Sequence, residues 1–558
     1  MEILVVGLLG LLAIAAATAL SDRIGVAAPL LLVLVGVGVS LAPGVPAFEV
    51  EPEWILAGVV PPLLFSSAVS MPSMDFRREF GAISAMSVLL VVVSTAVIGV
   101  VVAALVPGLG LAAGFALGAI LSPTDAVATS IVKKVGVAPR VTTVLEGESL
   151  LNDATALVVL RAAIAATAAS VSIGGVLADF AIAVAVAVVV GLVVGRLGLT
   201  VRSWIRQAQV STVISYALPF AASLPAEALG GSGLVAAVVA GLVTGHGAIR
   251  YLSPQHRLSD RQNWRTVETV LEGAIFLIMG LQLTAVVEDL HADGGSLWWG
   301  AALAAIALLV TIVVRAAFTA PLIGLQRRFA HRNETLRPAL SDIDEKLVVG
   351  ETLEFRGRSR LMDDPERTEK FRTRLRRKIA DIDHLLAEPL GAREGAVVVW
   401  AGMRGAVTLA AAQTLPEDAP LRSLLVFVAF LVAAGSLLIQ GGTLALFVRL
   451  VKPAGPDPEA TAEEQAELTR RMRGAVREVL EQYADDPDVA AILERDSQRS
   501  QDRDPAALVG MRMEILEAQR AALVAARAEG TFAAGPLTTA LENLDADQIS
   551  MELRRSSM

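Results

Sequence analysis

In the run Glu146-Gly-Glu148-Ser149-Leu-Leu-Asn152-Asp153, four residues separate Ser149 from Asp153 and four separate Glu148 from Asn152. On a helix that spacing stacks each pair one turn apart, giving two adjacent polar tracks. A hydroxyl and a carboxylate so placed offer hard oxygen ligands to a cation, and the carboxylate can take a proton instead. The run lies in a stretch, 144–168, that is otherwise apolar enough for lipid. An ionisable residue there costs roughly 2.5–3.5 kcal/mol, so each one calls for a partner or a task. A buried structural network is the plainer alternative.

Two further apolar stretches are interrupted. In Leu121-Ser122-Pro123-Thr124-Asp125-Ala126, Pro123 lacks an N–H and clashes with the preceding turn, so a helix is expected to break and leave carbonyls beside Thr124 and Asp125. Asp125 capping the following half-helix is the plainer reading. In Trp400-Ala-Gly402-Met-Arg404-Gly405-Ala, the guanidinium stays charged, so a dry bundle must supply a carboxylate, for which Glu148 is the candidate. The flanking glycines permit a second unwinding. Arg161 and Glu272 are expected to form another intramembrane pair, and Arg315 to snorkel or pair structurally.

The elements that must position these residues are legible in the composition. The chain has 558 residues, 54% of them hydrophobic, with a mean hydropathy of +0.61. The apolar residues come in blocks, about thirteen of them near the roughly 20 residues a bilayer-spanning helix needs. They are 2–20, 25–42, 54–71, 81–106, 110–132, 144–168, 174–200, 211–227, 232–247, 266–287, 298–325, 395–415 and 423–451. Lipid forbids unpaired backbone, so the expected class is an all-α integral membrane protein. No cysteine and five scattered His exclude a disulfide framework and argue against zinc. A net charge of -9 without a basic stripe argues against nucleic acid, and no cofactor is expected. The first stretch reads as a retained helix, since it opens on Glu2 rather than a basic segment and Ser21-Asp22-Arg23 is a poor cleavage site.

Loops after odd-numbered spans hold the basic residues, among them Arg77, Arg78, Lys133, Lys134, Arg202 and Arg257, while those after even-numbered spans hold Glu49, Glu51, Glu53 and Asp289. The positive-inside rule then places the N-terminus outside and the C-terminus in the cytosol of a plasma-membrane protein. A charged cytosolic insert, 326–394, sits within the transmembrane domain, 1–451, and a tail, 452–558, follows with helical stretches such as Met511 to Arg527. Solvated helix faces account for the charge runs in both. The interrupted spans are seven apart, as inverted repeats with the seventh span as linker would require. Paired interruptions of this kind mark a transporter's substrate site.

At Ser122-Pro-Thr-Asp-Ala-Val-Ala128, Glu146-Gly-Glu-Ser-Leu-Leu-Asn-Asp153, Phe276-Leu-Ile-Met-Gly-Leu281 and Gly402-Met-Arg-Gly405, the chain resembles the monovalent cation:proton antiporter family, in its Asn-Asp type of bacterial sodium/proton exchanger. The resemblance spans about residues 1–451. It implies a homodimer whose core and dimerisation domains slide against each other. It also implies that Asp153 carries cation and proton in turn, that Thr124, Asp125, Ser149 and Asn152 surround the ion, and that Glu148 with Arg404 bridges the discontinuous helices. Asp153, Ser149 and Thr124 would ligate the transported metal ion. Relatives often carry a carboxylate where Ser66 follows Pro61-Pro-Leu-Leu-Phe65 here, which bears on cation choice.

The expected activity is transport rather than enzymatic: exchange of Na+ or K+ for H+, serving intracellular pH and sodium homeostasis. One carboxylate occupied by either ion gives exchange, and Asn152 adds no second charge beside it, so one-for-one electroneutral coupling is expected. Two other classes can be set against this. An intramembrane serine protease could use Ser232 of Gly230-Gly-Ser-Gly233 with His246, but a helix would hold them near opposite ends of one span. A cation channel would need a filter or a repeated charge ring that the sequence lacks.

Overall fold

The computed structural model describes residues 2–43, 45–46, 48, 50–168, 173–349, 365–455, 458–482 and 505–556. Among these there are helices and no strand, and they fall into two compact units, Met1–Leu325 with Leu390–Gly455 and Gln326–Pro389 with Pro456–Met558. The insert thus shares a compact unit with the tail. Glu49, 350–364 of the insert and 483–504 of the tail lie outside the described residues.

The first unit begins with α1 (Glu2–Ile24), α2 (Ala28–Ser40), α3 (Val60–Ser70), α4 (Ser73–Ser84) and α5 (Val91–Leu105). Wider π-helical turns at Trp54–Val59 and Ala85–Leu90 lead into α3 and α5. Then come α6 (Gly110–Leu121), α7 (Val127–Val135), α8 (Pro139–Ala168), α9 (Ile173–Trp204), α10 (Ala208–Ala228), α11 (Gly233–Tyr251), α12 (Pro254–Leu281) and α13 (Leu283–Ala292). Next, α14 runs from Leu297 to Val349, its part from Gln326 on and α15 (Pro365–Ala387) belonging to the second unit. The first unit closes with α16 (Ala392–Trp400), α17 (Ala406–Gln413), α18 (Arg422–Ser436), a π-helical turn at Leu437–Gly441 and α19 (Gly442–Val451). Eight of the described helical stretches are long and apolar enough to cross a membrane, and Ala28–Ser40, Trp54–Ser70 and Gly110–Leu121 are shorter apolar helices.

Helix lies at every apolar block, but the ends differ from the sequence reading. α12 begins at Pro254 rather than 266, and α14 continues to Val349 rather than 325. Hydropathy marks where lipid would stop, whereas a helix stops at a cap. Ser253 accepts the amide of His256 at 3.3 Å with Pro254 in the first turn, and Ser232 accepts that of Val235 at 3.4 Å. Gly136, at φ 82, ends α7 in the left-handed conformation.

Charge pairs tie the helices together inside the first unit. Arg140 on α8 donates to Glu79 on α4 at 2.6 Å, and Arg202 on α9 pairs with Asp260 on α12. α12 also packs on α2, where Gly36 and Gly280 meet; a Cβ at 36 would lie 2.5 Å from the Leu277 carbonyl oxygen. In the second unit, α20 (Pro458–Gln482), α21 (Pro505–Glu529) and α22 (Ala534–Ser556) join α15. There Arg376 reaches Asp344 at 3.1 Å, and Arg471 reaches Glu529 at 2.8 Å.

The α2–α12 contact makes a prediction. Gly36→Leu should destabilise the protein by about 1–3 kcal/mol through overpacking, visible as a lower unfolding temperature in detergent. Gly38→Leu on the same helix, with nothing within 4 Å of its Cβ position, should leave that temperature unchanged. Equal effects of the two would refute the close-packing account.

Candidate functional site

The break predicted at Pro123 is present: α6 ends at Leu121, residues 122–126 are not helical in the α sense, and α7 starts at Val127. The second break is present too, with α16 ending at Trp400 and α17 starting at Ala406. The two interruptions bond to each other through the Asp125 amide, which donates to the Met403 carbonyl at 2.9 Å. A Cβ on residue 405 would fall 1.6 Å from Asp125 Oδ2, so only glycine lets the strands approach this closely.

The backbone groups released by the breaks are largely met by side chains, as a lipid-embedded chain requires. Arg404 Nε donates to the Leu121 carbonyl at 2.7 Å, Nη2 to that of Ser122 at 3.5 Å and Nη1 to that of Gly402. The Arg404 amide donates to Ser436 Oγ at 2.9 Å, and Gln440 Nε2 donates to the Trp400 carbonyl at 3.1 Å. Asp125 Oδ1 accepts the Val127 amide at 2.8 Å, in the first turn of α7. Asp125 thus bonds to the start of α7 through one of its two oxygens.

α8 lays its polar tracks against these breaks. Asn152 Nδ2 donates to Thr124 Oγ1 at 2.8 Å and to the Thr124 carbonyl at 3.3 Å, and Thr124 Oγ1 donates to Glu148 Oε1 at 3.2 Å. Glu148 does not pair with Arg404. Both of its oxygens are taken by Arg315 of α14, Oε2 at 2.7 Å from Nη2, and Arg315 Nε donates to the Val398 carbonyl at 3.0 Å. The physical reason is that the first break already supplies carbonyls for the Arg404 fork, which leaves the Glu148 carboxylate to the other buried arginine. Sequence alone could see that Arg315 was embedded but not which arginine stood opposite Glu148. Ser87 Oγ adds a bond to the Glu148 carbonyl at 3.2 Å.

The expected Arg161–Glu272 pair is also absent. Arg161 reaches Glu227 at 3.8 Å, both partly exposed, because α10 rather than α12 brings a carboxylate to that part of α8. Ser66 and Glu268, the latter not singled out from sequence, are joined at 3.4 Å. Ser232 and His246 are far from any shared chemistry: Ser232 caps the start of α11, while His246, thirteen residues on by the helix-running count from Gly233, contacts Ser73 at 3.0 Å.

What the network leaves over is as telling. Ser149 and Asp153, one turn apart on α8, make no side-chain hydrogen bond or ion pair among the described residues, and Asn152, 1% exposed, leaves Oδ1 without a partner. Oxygens without a partner among the described residues thus lie on the same stretch of α8 that bonds to the first break.

The fold is that of a multi-pass membrane protein. A family model described as sodium/hydrogen exchanger, transmembrane, matches residues 9–336, and the chain belongs to that family. An uncharacterised Na(+)/H(+) exchanger of Mycobacterium tuberculosis is 28% identical over 512 residues, 88% of this chain and 84% of the relative. Another of Escherichia coli is 36% identical over 273 residues, 47% of this chain and 49% of the relative. A sodium, potassium, lithium and rubidium/H(+) antiporter of Bacillus pumilus is 32% identical over 297 residues, 51% of this chain and 44% of the relative. The aligned parts therefore span about half of the last two. The fold is similar to that of a sodium proton antiporter from Methanocaldococcus jannaschii, with a TM-score of 0.56 at 15% identity, covering 81% of this chain and 99% of that one.

A double-mutant cycle should separate the two arginines. Arg315→Leu leaves Glu148 buried without its partner and should cost about 3–5 kcal/mol. Adding Glu148→Gln should recover a large part of that loss, measured by thermal unfolding in detergent. Stronger coupling of Glu148 to Arg404 than to Arg315 would overturn the assignment.

Proposed function

We propose that this chain is a secondary antiporter exchanging Na+ or K+ for H+, with Asp153 as the carrier of both. The observation behind this reading is the Asp153 carboxylate without a partner among the described residues, one turn from the Ser149 hydroxyl on the stretch of α8 whose Asn152 bonds to the first break. A carboxylate locked to arginine could not exchange cargo, and Glu148 is so locked while Asp153 is not. A cation needs several oxygens at once, and Ser149 and the Asn152 amide oxygen stand on the same stretch of α8. Thr124 keeps a lone pair beyond its bonds to Glu148 and Asn152. A proton needs only the carboxylate. Each ion excludes the other, so inward movement of one drives outward movement of the other.

The names of the Bacillus pumilus relative and of the Methanocaldococcus jannaschii neighbour support alkali cations and protons as the cargo. We further propose a homodimer in the plasma membrane, working in pH and sodium homeostasis. Its N-terminus faces out and its C-terminus, with the insert, faces the cytosol, as the arginines and lysines of the connecting loops suggest.

Asp153→Asn should abolish exchange in proteoliposomes while the protein remains folded by size exclusion and thermal unfolding. Exchange retained by that variant would remove the carrier assignment. Coupling one cation to one proton moves no net charge, so the rate at a fixed pH gradient should not change when a potassium–valinomycin potential is imposed in sodium medium. A rate that followed the imposed voltage would exclude the one-for-one scheme.

A further inference from the structure

The carboxylates of the first unit's helices can be sorted by what holds them. Glu79 is held by Arg140, Asp260 by Arg202, Glu148 by Arg315, Glu268 by Ser66, and Asp125 by the Val127 amide. Two near the breaks remain without a hydrogen bond or a cation among the described residues: Asp153 and Glu272. The second is unexplained by the exchange scheme. It lies on α12 one turn beyond Glu268, and the charges acting on it are those of Asp125 and Glu268, both of its own sign. α12 packs against α3 on one side and α17 on the other, so it joins the element carrying Ser66 to the second helix break.

The charges of Lys133 and Arg265 act on Glu268, but among the described residues no ion pair or hydrogen bond supplies a counter-charge to Glu272 or Asp153. Arg404, the nearest buried cation to the breaks, is fully engaged with carbonyl oxygens, and Arg161, once its expected partner, is with Glu227. Carboxylates that act on one another in a low dielectric cannot all stay ionised without a counter-charge. At the inner end, the buried and unpartnered Oδ1 of Asn152 is a further oxygen without a donor. Either a proton or a bound cation can supply the missing charge.

We propose that Glu272 is an affinity-determining residue of the exchange site, a second carboxylate that draws the monovalent cation toward Asp125 and Asp153. This rests on the antiporter reading above and extends it. Glu272 is not the obligatory carrier: Asp153 has the stacked Ser149 hydroxyl beside it, whereas Glu272 makes no hydrogen bond among the described residues. It sets how readily the cation arrives and stays, and the carrier sets whether exchange occurs.

The test is cation-dependent exchange by wild type, Glu272→Gln and Glu272→Asp in proteoliposomes, with sodium and potassium each titrated at constant pH. Loss of one negative charge should raise the KM for the preferred cation on the order of tenfold, equivalent to about 1.4 kcal/mol. The maximal rate should stay within about twofold of wild type, and Glu272→Asp should recover much of the affinity. An unchanged KM in Glu272→Gln, with or without a lower maximal rate, would overturn the proposal, since a merely structural residue lowers rate or yield alone. If Glu272→Gln does not fold, Glu272→Asp is read by the cation concentration that half-maximally raises its unfolding temperature: a shift to higher concentration supports the proposal and none refutes it. Absence of exchange in the wild type would instead bring down the antiporter reading itself.

Discussion

The structure depends on one constraint: a chain that interrupts its helices inside lipid must supply partners for the backbone groups it releases. Here each break serves the other. The Asp125 amide finds the Met403 carbonyl, and the Arg404 guanidinium finds the carbonyls at the end of α6. Neither break is stable without its counterpart, so the crossing is a single unit of structure. Gly405 sets how close the two can come, because a side chain there would occupy the place of the Asp125 carboxylate.

The same crossing explains the charges around it. Arg404 sits at the carbonyl end of α6 and Asp125 at the amide end of α7, so each meets the half-helix dipole of opposite sign. An arginine satisfied in this way needs no carboxylate, which is why Glu148 is available to Arg315. Glu148 in turn accepts from Thr124, and Thr124 accepts from Asn152, so the ion pair fixes the geometry of α8 against the first break. Fixed charges are thereby separated from free ones along a single helix: Glu148 is locked, and Asp153, less than two turns on, is not.

The helical class, both interruptions and the polar tracks of α8 could be read from the sequence because each has a local cause. Pro123 cannot continue a helix, glycines at 402 and 405 weaken one, and residues four apart share a face. Pairings between distant helices have no such local cause. Glu148 with Arg404 and Arg161 with Glu272 were both chemically reasonable, yet the choice turned on which helices are neighbours, and hydropathy is silent on that. Arg315 carried the needed signal in its burial alone, and Ser436 and Gln440, which meet backbone groups of the second break, carried none, since a serine or glutamine in a helix looks the same with or without a broken strand beside it. The insert's association with the tail is likewise a matter of tertiary contact between segments more than sixty residues apart in sequence.

An exchange site has to satisfy two requirements that pull against each other. The framework must be rigid enough that a cation finds its oxygens already in place, yet the carboxylate that binds it must have no permanent counter-ion, or the cargo could not compete. A single ion pair at Asp153 would meet the first and destroy the second. The structure separates the tasks by residue: guanidinium groups go to Glu148 and to backbone carbonyls, the Asp125 carboxylate goes to a helix end, and the carboxylates left bare are those with no cation in reach. Correcting the two expected ion pairs therefore strengthens the transport reading. Had Arg161 reached Glu272, that carboxylate would hold a permanent counter-ion; with Arg161 at Glu227, Glu272 makes no hydrogen bond or ion pair among the described residues.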